Sequence, residues 1–138
     1  AFVTVDGDHL PGVGILDVTT HANAKRMVGP VVLTTDFGEV VGYENHSGAT
    51  RLGAGQAAFG RVRSGCGNNG DDGSEGARTG NVFGSYLHGP ILPANHALAD
   101  ALLSYAVPLA TGRPFEPAAL DDAIADQART RQIRRLVG

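Results

Sequence analysis

The histidine at position 88 ends a β-favouring segment and is followed at once by a Gly-Pro step, in the stretch GSYLHGP from Gly84 to Pro90. Open α/β sheets carry many of their functional groups at strand ends. An imidazole titrates close to neutral pH, which suits it to take up and release a proton during catalysis. His88 is therefore a candidate general base, and a structural histidine hydrogen-bonded within a turn is the alternative interpretation.

A second cluster of polar side chains lies in the stretch GYENHSG, residues 42–48. Because side chains alternate along a strand, Glu44 and His46 share one face there. Tyr43 and Asn45 share the opposite face. A carboxylate and an imidazole this close together could form part of a catalytic site. A solvated strand face would show the same alternation, so both interpretations stay open.

A thiol and a pair of basic side chains are the remaining groups that could take part in chemistry. Cys66 is the single cysteine, and it lies in a glycine-rich loop with no helix N-terminus beside it to lower its pKa. An incidental loop cysteine is the favoured interpretation. Lys25 and Arg26 precede a predicted strand, and an arginine there could bind a carboxylate through two hydrogen bonds. Ordinary surface charge would also explain this pair.

Composition and charge exclude several classes of protein. The chain has 138 residues and a formal net charge of -3, which gives no electrostatic attraction to nucleic acid or to an anionic membrane. A single cysteine excludes an intramolecular disulfide and a cysteine-rich zinc site. The sequence contains no signal peptide and no apolar run of membrane-spanning length. It therefore predicts a cytoplasmic protein without membrane insertion.

The stretch SGCGNNGDDGSEG, residues 64–76, has the strongest turn composition in the chain. It is predicted to be an exposed loop, because glycine, asparagine and aspartate favour turns. Its acidic residues lack the spacing and the final glutamate of an EF-hand. Its glycines are not followed by the Gly-Lys-Ser/Thr of a P-loop. We therefore predict no metal site and no cofactor.

The elements that must position these groups are strands first and helices last. Alternating or β-rich segments predict strands at residues 1–5, 13–18, 29–35, 39–45, 56–62 and 80–87. Helical spacing after Pro93, with Asn95 as the N-cap, predicts a first helix. A second helix is predicted at about 118–136, after a Pro/Gly-rich connection at 107–117. This order indicates an α+β domain or part of a larger α/β domain.

Several motifs taken together resemble one family. LPGVGILDVTT, KRMVGPVV, VVGYENHSGAT, GNNGDDGSEGA and GNVFGSYLHGPILPANHALADALL occur in the order found in the CobB/CobQ-like class I glutamine amidotransferases. The resemblance spans roughly residues 9–105. It implies an α/β fold with a class I glutamine amidotransferase-like (Rossmann-like) sheet. This chain would be its strand-rich C-terminal portion with two C-terminal helices, so that residues 1–138 form a single, partial glutamine amidotransferase domain.

The same resemblance assigns roles to individual residues. It implies that His88 carries the proton when the glutamine side-chain amide is hydrolysed. It also implies that Arg26 binds the glutamine, with Lys25 as the neighbouring alternative. Three further residues would lie near the active face without an assigned role: Glu44, Asn45 and His46.

The nucleophile of the family is a cysteine in a Cys-x-Gly-x-Gln-like elbow, a short way upstream of the LPGVGILD motif. No such elbow occurs in this sequence, and Cys66 lies in the wrong place for it. The elbow is therefore expected before Ala1, in a part of the amidotransferase that this chain lacks. Without it, we expect that this chain alone does not hydrolyse glutamine.

Within the family, the resemblance is strongest to the glutaminase subunits of enzymes that amidate lipid II. It implies glutamine as the substrate and a MurT-like, Mur-ligase-family synthetase as the partner. The ammonia would amidate the D-glutamate of the peptidoglycan stem. The amidotransferase domain of a cobyric acid synthase is the alternative within the enzyme class. A non-catalytic module that only binds a partner is the alternative outside it.

Overall fold

The computed structural model describes residues 1–88 and 90–138. Its strands, numbered in chain order, are β1 (Phe2–Val3), β2 (His9–Leu10), β3 (Val18–Thr35), β4 (Gly38–Leu52), β5 (Gly60–Ser64), β6 (Ser74–Glu75), β7 (Ala77–Thr79), β8 (Val82–Gly84) and β9 (Leu87–His88). Its helices are α1 (Ile91–Ala94), α2 (His96–Thr111) and α3 (Ala123–Val137). Strands precede helices along the chain, as the sequence predicts.

Two long strands, β3 and β4, form the centre of the main sheet. They pair antiparallel from Val18 opposite Leu52 to the hairpin turn, where Thr35 lies opposite Gly38. The other edge of β3 pairs with β1 in parallel and with β5 antiparallel. The other edge of β4 pairs antiparallel with β9. Strand β9 thus brings His88 beside the centre of the sheet.

The hydrophobic core joins the central hairpin to the first long helix. Its buried members come from β3, β4, β9 and α2 and from the segment before β5: Val31, Leu33, Val40, Phe59, Leu87 and Leu98. Leu98 anchors α2, and Leu87 anchors β9. Leu87 is 7% exposed and directly precedes His88. The packing of Leu87 in the core therefore holds the backbone next to the candidate catalytic histidine.

The helices differ from the sequence prediction at their ends. Helix α2 continues through Pro108 to Thr111, into the segment predicted to be a connection. A proline near the end of a helix removes only one backbone donor, and α2 then stops at Gly112, which has a left-handed φ of 69°. Helix α3 begins at Ala123, five residues after the predicted start at 118.

Asn95 precedes α2 as predicted, but its side chain makes no capping hydrogen bond. The side chain is buried against β4 instead. Its Oδ1 accepts a hydrogen bond from the Val41 N–H at 2.8 Å, and its Nδ2 donates to the Val41 carbonyl at 2.7 Å. The amide therefore takes the position of a neighbouring strand along the edge of β4 that β9 also uses.

Two segments differ from their predicted character. Residues 13–17 are not a strand; they are irregular, and Gly14, with a φ of 77°, interrupts the extended backbone. The segment 64–76 is not simply an exposed loop, because Asn68 and Glu75 are buried. Asn68 Oδ1 accepts from the Gly76 N–H at 2.9 Å, so the polar residues of this segment fold inward around one another.

The combination of a mixed sheet with helices confirms the predicted α/β class. The strand pairs described here are mostly antiparallel, with one parallel pair between β1 and β3. Across residues 1–88 and 90–138, every helix is too short or too polar to cross a membrane.

Candidate active site on the outer face of strand β4

Four side chains lie on one exposed face of the sheet and are called the outer patch: Arg26, Tyr43, Asn45 and His88. The alternation of β4 places Tyr43 and Asn45 on this face. His88 lies directly opposite Tyr43 in the register of β9 with β4. Their ring centroids are 6.5 Å apart, with the rings nearly perpendicular at 84°. The imidazole therefore packs edgewise against the phenol and stays open to solvent.

Arg26 reaches the outer patch through an irregularity in β3. Residues 23–26 of β3 lie opposite the single residue Ser47 of β4. The bulged backbone projects the Arg26 side chain across β4, and its guanidinium donates a hydrogen bond to the side-chain oxygen of Asn45. The sequence predicts that this basic pair precedes a strand, but the structure places both residues inside the long strand β3. Lys25 shares the bulge and is exposed.

The outer patch combines a group that can bind an anion with a group that can transfer a proton. The Arg26 guanidinium can bind a carboxylate through two parallel hydrogen bonds. Strands β3 and β9 flank β4, so their backbones are roughly 10 Å apart. A small amino acid bound by Arg26 can therefore extend across β4 and bring its side chain to the imidazole of His88. Asn45 lies between them and can donate or accept a hydrogen bond.

On the opposite face of β4 lies a group of buried or half-buried polar side chains that we call the inner cluster: Glu44, His46, Glu75 and Tyr86. Glu44 is 2% exposed. Its two carboxylate oxygens accept hydrogen bonds from the Cys66 N–H and the Gly67 N–H, each at 2.8 Å. Gly67 has a φ of 69°, and a Cβ there would lie 2.4 Å from the Ser74 carbonyl oxygen. Only glycine lets this backbone close around Glu44.

His46 is held by contacts that fix its tautomer. Its Nδ1 lies 2.9 Å from the Gly48 carbonyl, and a carbonyl can only accept, so Nδ1 carries the proton. The imidazole stacks on the Tyr86 ring, with centroids 3.6 Å apart and an angle of 2° between the rings. Its Nε2 is buried, lies 3.9 Å from a Glu44 oxygen and has no hydrogen-bond partner among the described residues. Glu44 and His46 therefore form a structural pair that faces away from the outer patch.

Cys66 belongs to the inner side of the sheet. Its N–H binds Glu44, whereas His88 lies on the opposite face of β4. Burial of the thiol, and then the charge of Glu44, raise the pKa of Cys66 above its usual value, which disfavours the reactive thiolate. The structure does not bring Cys66 and His88 together.

Glu75 is the second buried carboxyl of the inner cluster, and it is 0% exposed. Burial raises the pKa of the Glu75 carboxyl from 4.5 to about 7, and the Glu44 charge adds to this rise. Hydrogen bonds from Tyr86 and Ser85 oppose the rise. A carboxyl in this position changes its charge within the physiological pH range.

The acidic loop after β5 pairs its carboxylates with an arginine. Asp71 and Asp72 both contact the Arg51 guanidinium, which offsets part of their charge. In the two described ranges, no three side chains of His, Cys, Asp or Glu come together as a metal ion would require.

The structure separates the residues that the sequence singles out. Arg26, Asn45 and His88 come together on the outer patch, whereas Glu44 and His46 lie in the inner cluster. The sequence places Tyr43 on the same face as Asn45, but Tyr43 is not among the site residues that the resemblance implies. Sequence reasoning missed Glu75 and Tyr86 of the inner cluster. The GSEGA context of Glu75 is typical of a surface turn, and nothing in it indicates burial.

Comparison with known proteins gives one consistent family. Residues 1–96 match the model of the CobB/CobQ-like glutamine amidotransferase domain. The lipid II isoglutaminyl synthase (glutamine-hydrolyzing) subunit GatD of Staphylococcus aureus strain N315 is 43% identical over 135 residues, which is 97% of this chain and 54% of that protein. The subunit of the same name from Streptococcus pneumoniae strain R6 is 35% identical over 129 residues, or 91% of this chain and 50% of that protein. A probable cobyric acid synthase of Methanoregula boonei is 37% identical over 116 residues, or 75% of this chain and 21% of that protein. The chain therefore spans about half the length of the GatD relatives.

Proposed function

The chain belongs to the CobB/CobQ-like glutamine amidotransferase family, and on that premise we propose that it carries the glutamine-binding and proton-transferring half of a glutaminase. The observation that carries the proposal is the outer patch. There a guanidinium suited to a carboxylate and an imidazole suited to proton transfer lie on one open face, flanking the same strand. The buried Glu44 and His46, which the resemblance also places near the active face, do not share this open face.

The proposed chemistry releases ammonia from the side chain of glutamine. Arg26 binds the α-carboxylate of the substrate. A thiolate attacks the side-chain amide carbon, and His88 delivers a proton to the departing nitrogen, so the C–N bond breaks and ammonia leaves. Water then attacks the thioester with His88 as the base, and glutamate and the free thiol are formed.

We propose that a cysteine other than Cys66 supplies the thiolate. Cys66 is the single cysteine of these 138 residues, so the nucleophile would lie outside them. The raised pKa of Cys66 and its place in the packing around Glu44 both oppose a role of Cys66 as the attacking thiolate. In the full-length protein we expect Cys66→Ser to leave the rate of glutamine hydrolysis within about twofold of wild type. Loss of activity in a folded Cys66→Ser protein would contradict the assignment.

The proposed acceptor of the ammonia is the D-glutamate α-carboxylate of lipid II, activated by a MurT-like synthetase partner in the cytoplasm. The support is the name and the coverage of the two GatD relatives, which match at least nine-tenths of this chain. A corrin carboxylate is the second candidate, supported by the cobyric acid synthases. These match a smaller share of the chain, between 56% and 85%.

The test is an amidation assay with the full-length protein, glutamine, ATP and a Mur-ligase-family synthetase from the same organism. We expect glutamate release and the transfer of the amide nitrogen of ¹⁵N-glutamine to lipid II. Transfer to a corrin acid instead, by a cobyric acid synthase, would move the protein to the second candidate. If no glutamate forms under either condition, the protein is a binding module without glutaminase activity.

A further inference from the structure

The strand that presents His88 is too short to hold itself in place. As far as the structure describes the chain up to residue 88, strand β9 comprises Leu87 and His88, and two register pairs join it to β4. The residue pairs of so short a strand contribute little stability. Catalysis by a histidine needs its imidazole held to within a fraction of an ångström of the productive position. Core packing of Leu87 holds one side chain of the segment 85–87, and the backbone of that segment needs a further anchor.

The carboxyl group of Glu75 makes that connection from the interior. It accepts a hydrogen bond from the Tyr86 N–H at 2.8 Å. It also accepts from the Ser85 hydroxyl, whose Oγ lies 3.2 and 3.3 Å from the two carboxyl oxygens. The Ser85 Oγ in turn accepts from the Leu87 N–H at 3.0 Å. One carboxyl group therefore connects to all three residues that precede His88.

The side chain of Tyr86, in the same segment, is held by contacts with β4. The Tyr86 ring stacks on His46, and its hydroxyl lies 2.7 Å from Thr50 Oγ1. These contacts come from β4, whereas Glu75 acts from β6. Contacts from β4 and β6 therefore hold the segment 85–87 on both sides. His88 is the next residue, and its side chain lies on the outer patch.

The burial of Glu75 indicates a role beyond packing. A fully buried carboxyl is costly to the fold unless its oxygens find partners. The partners of this carboxyl all lie within 85–86, three and two residues before His88. The carboxylate of Glu44, the other buried carboxyl of the inner cluster, accepts its hydrogen bonds from the Cys66 and Gly67 N–H groups instead.

We propose that Glu75 is a positioning residue for His88, which fixes the backbone of residues 85–87 so that the imidazole is presented on the outer patch. The proposal rests on the proposed function, since it assumes that His88 transfers the proton. It adds a carboxyl group that acts through the backbone of the segment and touches no substrate.

The test is steady-state glutamine hydrolysis by full-length variants. We expect Glu75→Ala to lower kcat at least tenfold and to change the KM for glutamine less than threefold, because Arg26 is untouched. Glu75→Gln keeps an acceptor for the Tyr86 N–H and a donor for the Ser85 oxygen, and should restore kcat to within about threefold of wild type. Hydrogen exchange of the Tyr86 and Leu87 amides should accelerate in Glu75→Ala and return in Glu75→Gln.

Asn95→Ala is the matched control. Asn95 is also buried, and its side chain also bonds to backbone, but its partners are Val41 and Ile91. We expect Asn95→Ala to reduce thermal stability and to leave kcat within about twofold. A similar fall of kcat in both variants would show that Glu75 acts only through general stability, and would overturn the proposal.

Two further variants make the outcome decisive. If Glu75→Ala does not fold, Ser85→Ala carries the test, with an expected fall in kcat of at least threefold; an unchanged kcat overturns the proposal. The variant His88→Ala separates the positioning role of Glu75 from the proposed function itself. If it is inactive while folded Glu75→Ala keeps its kcat, only the positioning role is wrong. If His88→Ala itself turns over normally, the proposed function is wrong and the positioning role fails with it.

Discussion

The two faces of strand β4 carry the same kinds of side chain and use them in opposite ways. On the outer face, Tyr43 and Asn45 are exposed beside Arg26 and His88. On the inner face, Glu44 and His46 are enclosed by backbone and by a stacked ring. The outer side chains keep hydrogen-bond donors and acceptors free for a ligand. Most donors and acceptors of the inner side chains are already hydrogen-bonded within the protein. Burial, and not residue type, therefore separates the candidate site from its support.

The largest expected effect comes from removing the outer imidazole. In the full-length protein, we expect His88→Ala to lower glutamine turnover about a thousandfold, the range typical of general acid–base catalysis. The free energy of unfolding should change by less than about 0.5 kcal/mol, because the side chain is exposed. Coupled detection of glutamate measures the first and urea unfolding the second.

The matched control for this variant is His9→Ala, since His9 is also exposed at a short strand but lies outside the outer patch. Its turnover should stay within about twofold of wild type. Normal turnover in His88→Ala would end the distinction between the two faces.

Substitutions on the inner face should mainly lower the free energy of unfolding, and their effect on glutamine turnover should be secondary. We expect Glu44→Ala to lower the free energy of unfolding by about 3 kcal/mol, because the Cys66 and Gly67 N–H groups lose a charged acceptor in the interior. Asn45→Ala, one residue along on the outer face, should change it by less than about 0.5 kcal/mol. Equal losses in the two variants would contradict the assignment of their faces.

The pH dependence of stability should report the buried Glu75. Its pKa is about 7 in the folded protein and 4.5 in an ordinary setting, so the folded state binds the proton more tightly than the unfolded state. The stability from this group is present in full below pH 4.5 and is lost as pH rises through about 7. The difference in unfolding free energy between wild type and Glu75→Gln should therefore shift by about 3 kcal/mol over this window, against the wild type at high pH. Urea titrations across the range measure it, and a flat difference would mean that Glu75 keeps an ordinary pKa.

The smallest effect expected on the outer face comes from the guanidinium. We expect Arg26→Ala to raise the KM for glutamine about tenfold to a hundredfold, the value of one or two charge-assisted hydrogen bonds, with kcat changed little. Lys25→Ala, at the neighbouring bulge position, should leave the KM unchanged. A raised KM in Lys25→Ala and not in Arg26→Ala would move the substrate carboxylate to the lysine.

The central hairpin and the outer patch could be predicted because their signals are local. The β-rich segments on either side of the DFG turn predict β3 and β4, and the period of two places Asn45 and Tyr43 on one face. A histidine at a strand end followed by Gly-Pro marks His88 without any knowledge of its neighbours. The family resemblance added the association between His88 and Arg26.

The inner cluster could not be predicted because it depends on contacts between distant segments. Glu75 occurs among glycines that are typical of a surface turn, yet its carboxyl meets a backbone ten residues further along. The bulge that carries Arg26 across β4 depends on the register of two long strands, which no single segment specifies. Asn95 looks like a helix cap in sequence, and only the approach of Val41 shows its other use.

The most direct test of the central claim uses the two histidines of β9 and β4 as probes of opposite faces. Glutamine at saturating concentration would be added to the full-length protein, and the imidazole ring signals of His88 and His46 would be followed by NMR, with assignments from His88→Gln and His46→Gln. We expect the His88 signals to shift and those of His46 to stay in place. A shift of His46 with His88 unmoved would show that glutamine binds on the inner face, and would contradict the account.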